Sequence, residues 1–156
     1  MHSPHSPFTS PEKPGKRLTP LSFPLSFLLM GLVLYLSFFT PPSTDLGRIP
    51  GFDKVVHVGM YGVLSGIVWI EYLFHYPENF RLRTIFLIGW LIPVLLSAGV
   101  EFGQEYLTDN RSGDVWDFCA NLTGATLASL LCHYRIRPHR EQIRLYGERL
   151  LRRRKA

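Results

Sequence analysis

The feature that most constrains this chain is where its charges are missing. Asp, Glu, Lys and Arg are absent from Leu21 to Thr44, from Val55 to Ile70, from Thr84 to Val100 and from Phe118 to Tyr134. At 1.5 Å per helical residue, about 20 apolar residues cross the ~30 Å hydrocarbon layer of a bilayer, and polar residues at the ends of a run can lie among the headgroups. One such run would suit the buried helix of a soluble domain. Four of them in 156 residues, 46% of which are hydrophobic, leave almost no sequence for a water-facing shell. The expected fold is all-α, a four-helix transmembrane bundle, with helices at about 22–39, 53–75, 84–107 and 114–134 inside a membrane domain of 21–134.

The ends of the runs carry the expected punctuation. Pro41-Pro42 closes the first, and the bulky Phe38-Phe39 pair does not fit a signal-peptidase site, so the first run reads as an uncleaved span. Asp53 stands where a carboxylate can cap helix 2, and Pro77 ends that helix. Pro93 falls in the middle of helix 3, where it frees the carbonyl of Gly89 and predicts a kink. Thr108 to Gly113 has turn composition. Residues 1–20 hold five prolines and no periodicity, a disordered tail by composition. Cys119 and Cys132 sit about 20 Å apart along one helix, too far for a disulfide.

Basic residues set the orientation. With the N-terminus inside, the inner segments hold Lys13, Lys16, Arg17, Arg81, Arg83 and the nine Lys and Arg from Arg135 onward; the outer ones hold only Arg48, Lys54 and Arg111. The positive-inside rule places both termini in the cytoplasm, which an even number of spans requires. The 135–156 tail is basic and carries Ile143, Tyr146, Leu150 and Leu151 at helical spacing. It reads either as an amphipathic helix on anionic lipid or as a solvated tail. The net charge of +5 comes largely from it, which points to membrane lipids as partners and not to nucleic acid.

This topology puts most polar residues of the spans at one depth. Helix 2 brings Asp53, Lys54, His57 and Tyr61; helix 3 brings Glu101, Gln104 and Glu105; helix 4 brings Asp114, Asp117 and Asn121 at spacings that share a face; Arg111 lies in the connecting turn. Gly124 and Ala128 continue that face with small residues that permit close helix approach. Ionisable groups within a membrane are costly and usually face the bundle interior, so the set reads as an outward-facing polar pocket. The competing reading is a structural network in which Asp114 and Asp117 cap helix 4, Arg111 pairs with them and Glu101 bonds His57. A metal is not expected, because only one histidine lies at this level, and no cofactor motif occurs. No nucleophile motif surrounds Ser112, so catalytic residues are left unassigned. Glu71 and His75, near the other end of helix 2, are expected to pair with Arg81 or Arg83.

The pattern Asp53-Lys54-x-x-His57-x-x-x-Tyr61-x-x-Leu64, then Glu101-x-x-Gln104, Arg111 and Asp114-x-x-Asp117-x-x-Ala120-Asn121-x-x-Gly124, resembles the VanZ-like membrane proteins over about residues 30–132. The resemblance implies a multi-pass envelope protein of the bacterial cytoplasmic (inner) membrane. It also implies a contribution to glycopeptide resistance of the teicoplanin type, with a lipid-linked cell-wall precursor or the glycopeptide as candidate partner. It brings no catalytic assignment. The leading expectation is a protein that binds or modulates an envelope component. A membrane-embedded hydrolase or transferase for a lipid-linked substrate is the alternative, and a small non-catalytic scaffold is the third reading.

Overall fold

The computed structural model describes residues 18–39, 49–76, 80–107, 113–142, 145–146 and 149. All the regular structure among them is helical. After a 3-10 turn at Pro20–Ser22, α1 runs Pro24–Phe38 and α2 runs Phe52–His75. The third helix, α3, covers Leu82–Leu107, and the fourth, α4, covers Val115–Gln142. The last three are long and apolar enough to cross a membrane, and a third or less of the most apolar stretch of each is buried inside the chain. Their remaining apolar side chains, such as Val63, Ile70, Leu95, Phe102 and Leu127, face outward. That distribution suits a hydrocarbon solvent and not water.

Helix α1 is shorter than expected, 15 residues against the 22–39 reading. Pro24 occupies its first turn, where a missing N–H costs nothing. At about 22 Å it falls short of the hydrocarbon thickness by itself, and side chains from other helices hold both its ends. The Glu71 carboxylate accepts the backbone N–H of Leu25 (2.9 Å) and of Ser26 (3.1 Å), together with the Ser26 hydroxyl. Gln104 Nε2 donates to the Ser37 carbonyl at 2.8 Å. Glu71 therefore does not make the expected pair with Arg81 or Arg83, because open helix amides lie within its reach. His75 turns back to the carbonyl of Glu71.

Just before Pro93 the helix departs from regular α geometry. Helix α3 is regular over Leu82–Phe86, widens to a π-helical turn at Leu87–Leu91 and resumes over Ile92–Leu107. Proline has no N–H for the Gly89 carbonyl, and the fully buried Ser65 hydroxyl of α2 donates to that oxygen.

Two apolar clusters fill the bundle. Val33, Tyr61 and Leu64 pack with Leu29, Met30 and Leu96 from α1 and α3. Val68, Trp69, Tyr72, Leu73, Tyr76, Ile85 and Cys132 form the other, towards the opposite end. Both cysteines are free; Cys132 packs in the second cluster, whereas Cys119 is exposed. The tightest seam joins α2 to α4, which run parallel. His57 meets Asn121, Ser65 meets Ser129 and Trp69 meets His133, always 64 residues on. Between those contacts lie Gly62 against Gly124 and Gly66 against Ala128. A Cβ on Gly124 would stand 2.9 Å from the Val58 carbonyl carbon and 3.0 Å from the Gly62 nitrogen, so no larger residue fits without moving a helix.

The expectations for Pro41-Pro42, Pro77, Arg111, the turn around Ser112, the N-terminal tail and most of the basic tail concern residues outside those described.

Candidate functional site

The glycine seam determines what meets at the shared end of α2, α3 and α4. With the backbones in contact at Gly62 and Gly124, the residues one to two turns earlier on α2 and α4 must face each other. Lys54 reaches across to α4, where its ammonium donates to Asp114 Oδ2 at 2.7 Å and to Asp117 Oδ1. Asp53 completes the group, 3.1 Å from the same nitrogen. One turn deeper, His57 Nδ1 lies 3.0 Å from Asn121 Oδ1, and His57 Nε2 lies 3.5 Å from Asp117 Oδ2.

Asn121 fixes which histidine nitrogen carries a proton. Its Nδ2 donates to Ser97 Oγ at 2.8 Å and points to Glu101 Oε1 at 3.5 Å, both on α3. The amide oxygen therefore faces the imidazole and accepts from Nδ1–H, leaving Nε2 directed at Asp117. Glu101 is anchored from its other oxygen, where Oε2 accepts the Asp114 backbone N–H at 3.0 Å. Glu105 similarly accepts the Gly113 N–H at 3.0 Å. Helix α3 thus fastens the chain entering α4, and α2 fastens the first two turns of α4.

The two aspartates have different roles. Asp114 is the N-cap of α4, accepting the Trp116 N–H at 2.8 Å. The Lys54 ammonium, followed by that amide, holds the Asp114 carboxyl below the ordinary carboxylate range. Asp117 makes no cap and faces Lys54 and His57. Asp53 does not cap α2. The cap position belongs to Gly51 at φ 77°, a left-handed conformation that favours glycine, and Asp53 lies in the first turn beside the positive helix end.

Of the sequence candidates, Asp53, Lys54, His57, Glu101, Asp114, Asp117 and Asn121 come together. Gln104 does not join them, because it is buried at the end of α1. Tyr61 is 1% exposed, and its hydroxyl has no hydrogen-bond partner in bonding geometry among the described residues, although Ser97 and Glu101 lie beside it. Arg111 lies outside the described residues. Ser97 was not singled out in the sequence. A lone serine on an apolar helix gives no signal, and only its spacing of four from Glu101 puts it on the same face. A cavity of about 500 Å³ opens between α3 and the start of α4, walled by Glu101, Glu105 and Asp114 with Phe102, Tyr106 and Phe118.

The chain matches no family model, no curated protein and no solved structure. The chemistry of the site is therefore read from its own geometry. Four carboxylates (Asp53, Glu101, Asp114 and Asp117) surround one lysine and one imidazole. The arrangement can hold a cation or a hydrogen-bond donor.

Proposed function

We propose that the chain is a multi-pass protein of the bacterial cytoplasmic membrane, of the VanZ-like kind, with both termini inside. Its outward-facing acidic pocket would bind or modulate an envelope component, with glycopeptide susceptibility as the cellular trait affected. The observation that carries the reading is the convergence of Lys54, His57, Glu101, Asp117 and Asn121 from three separate helices at one end of the bundle. Charged groups at that depth are costly, and a fold that needed only packing would not gather them. The adjoining cavity, with carboxylates and aromatic rings in its walls, gives a headgroup with an attached chain a way in from the side.

Two experiments test this. Single cysteines at Arg48 and Ser112 should react with an impermeant thiol reagent in intact cells, and one at Glu78 should not. Labelling at Glu78 from outside would overturn the orientation and the outward-facing pocket together. Asp117→Asn keeps the shape of the side chain and removes its charge. It should leave a folded, inserted protein without the wild-type effect on glycopeptide susceptibility. Full activity in that variant would remove the pocket's main support, and loss of activity together with loss of the fold would favour a structural network.

A further inference from the structure

The acidic end of the bundle contains a set of side chains whose hydrogen bonds are distributed in a particular way. His57, Glu101 and Asp117 each offer one donor atom within 4.8 Å of the other two. Each also has its other polar atom engaged outside the group. His57 Nδ1 faces Asn121 Oδ1, Asp117 Oδ1 accepts from Lys54, and Glu101 Oε2 accepts the Asp114 N–H. The atoms left over are His57 Nε2, Asp117 Oδ2 and Glu101 Oε1, one from each of three helices. A network serving only to tie helices together would bring the shortest contacts between those atoms. Here the His57–Asp117 approach is 3.5 Å, and Glu101 Oε1 meets only the long 3.5 Å contact from Asn121.

We propose that His57, Glu101 and Asp117 form a binding site for a divalent transition-metal cation, zinc or manganese in character. An imidazole nitrogen and two carboxylate oxygens suit these ions. Ligands about 2.0–2.1 Å from zinc in a tetrahedron stand ~3.3 Å apart, close to the 3.5 Å His57–Asp117 separation, and the Glu101 ligand atom lies within 4.8 Å of both. The partners outside the group are those that metal ligands use: an amide oxygen on the far side of the imidazole, which fixes its tautomer, and donors on the far oxygens of both carboxylates. Charge supports the same assignment. Three carboxylates meet Lys54 and Glu101 adds a fourth nearby, so acidic groups outnumber the one lysine among the described residues of the site.

An independent observation also points to a ligand here. The Tyr61 hydroxyl, buried one turn below His57 with the Ser97 hydroxyl beside it, has no partner in full bonding geometry among the described residues. A buried hydroxyl left unpaired is destabilising, because it has given up its hydrogen bonds to water. Three protein ligands leave at least one open position on the metal, and a water or an anionic group bound there would accept from this hydroxyl. The inference does not rest on the envelope reading, since the metal site follows from the three ligands alone.

The test uses full-length protein purified in detergent, stripped with a chelator, titrated with Zn²⁺ or Mn²⁺ and freed of excess ion by gel filtration. One ion per chain is expected, with a rise in melting temperature that chelator reverses. His57→Asn and Asp117→Asn should each lose the stoichiometric ion. Asn121→Ala keeps all three ligands and should weaken binding about 10–100-fold. A chain with His2, His5 and His139 replaced by alanine should still bind one ion. Absence of a stoichiometric ion in the wild-type chain would overturn the proposal, and so would unchanged binding in both ligand variants or loss of binding in the triple-alanine control. If the ligand variants fail to fold, the wild-type melt with and without metal still decides.

Discussion

Gly124→Ala tests whether the site depends on the helix seam. The added Cβ would fall 2.9 Å from the Val58 carbonyl carbon, 3.0 Å from the Gly62 nitrogen and closer still to the Val58 oxygen. Ordinary contact begins near 3.4 Å. Every atom it meets is backbone, so no side chain can swing aside, and α2 and α4 must part by roughly half an ångström or more. Overpacking of this kind costs about 1–3 kcal/mol. The same displacement, carried one turn along, stretches the 3.0 Å His57–Asn121 bond to the limit of a hydrogen bond. The variant should therefore unfold at lower temperature or denaturant in detergent micelles and should lose whatever the site binds. Its neighbours provide the scale. Gly62→Ala meets the Gly124 oxygen at 3.4 Å and should be close to neutral, and Gly59→Ala meets nothing within 4 Å. Replacing an unhindered helical glycine by alanine gains up to ~1 kcal/mol of helix propensity. If Gly124→Ala proves as stable as Gly59→Ala and binds as well, the seam does not position the site and the reasoning fails.

Ser65→Ala should destabilise the protein by about 1–3 kcal/mol, because it leaves the Gly89 carbonyl unsatisfied in an apolar interior, and Pro93→Ala in the same chain should recover part of that loss by restoring a helical N–H; equilibrium unfolding of the two single variants and the double variant would show it, and additive effects would contradict it. Asp114 has its carboxyl held below the ordinary range by Lys54, so its contribution to stability is present above the unfolded-chain value and disappears as pH falls through the lowered folded value. Melting curves from neutral pH down to about pH 3 should therefore fall less steeply in Lys54→Met than in the wild type, and equal slopes would rule out the pairing.

Much of this architecture can be read in the sequence because the features that encode it are local. Charge-free runs depend on composition, and Pro93 names the carbonyl it frees by counting back four residues. The shared face of Asp114, Asp117 and Asn121 follows from helical spacing, and its continuation to Gly124 marks the seam. The partners were not legible, because they depend on rotation and offset between helices. Glu71 has arginines near it in sequence and helix amides near it in space. Gln104 lies three residues from Glu101 and points to the other side of α3, into α1. Asp53 looks like a cap until Gly51 is found in the left-handed conformation, which starts the helix one residue earlier.

The polar residues of α2 also show why the charged end is unlike the rest of the bundle. Ser65 satisfies a carbonyl that a proline exposed, and Glu71 satisfies the amides that open a short helix. Trp69 bonds Ser129, and Trp90 bonds Thr126. In each case a polar group answers a defect or a neighbour already present in the fold, and removing both partners would cost little. Asp117 answers no such defect. Helix α4 already has its cap in Asp114, and the helices already meet through glycine. A leucine at position 117 would pack against the same seam without any charge to bury, whereas a phenylalanine at position 57 would leave the buried Asn121 oxygen without its partner. Asp117 is the residue at which the two readings part: an intact Asp117→Asn protein that loses its effect would mark a site, and an intact, fully active one a scaffold.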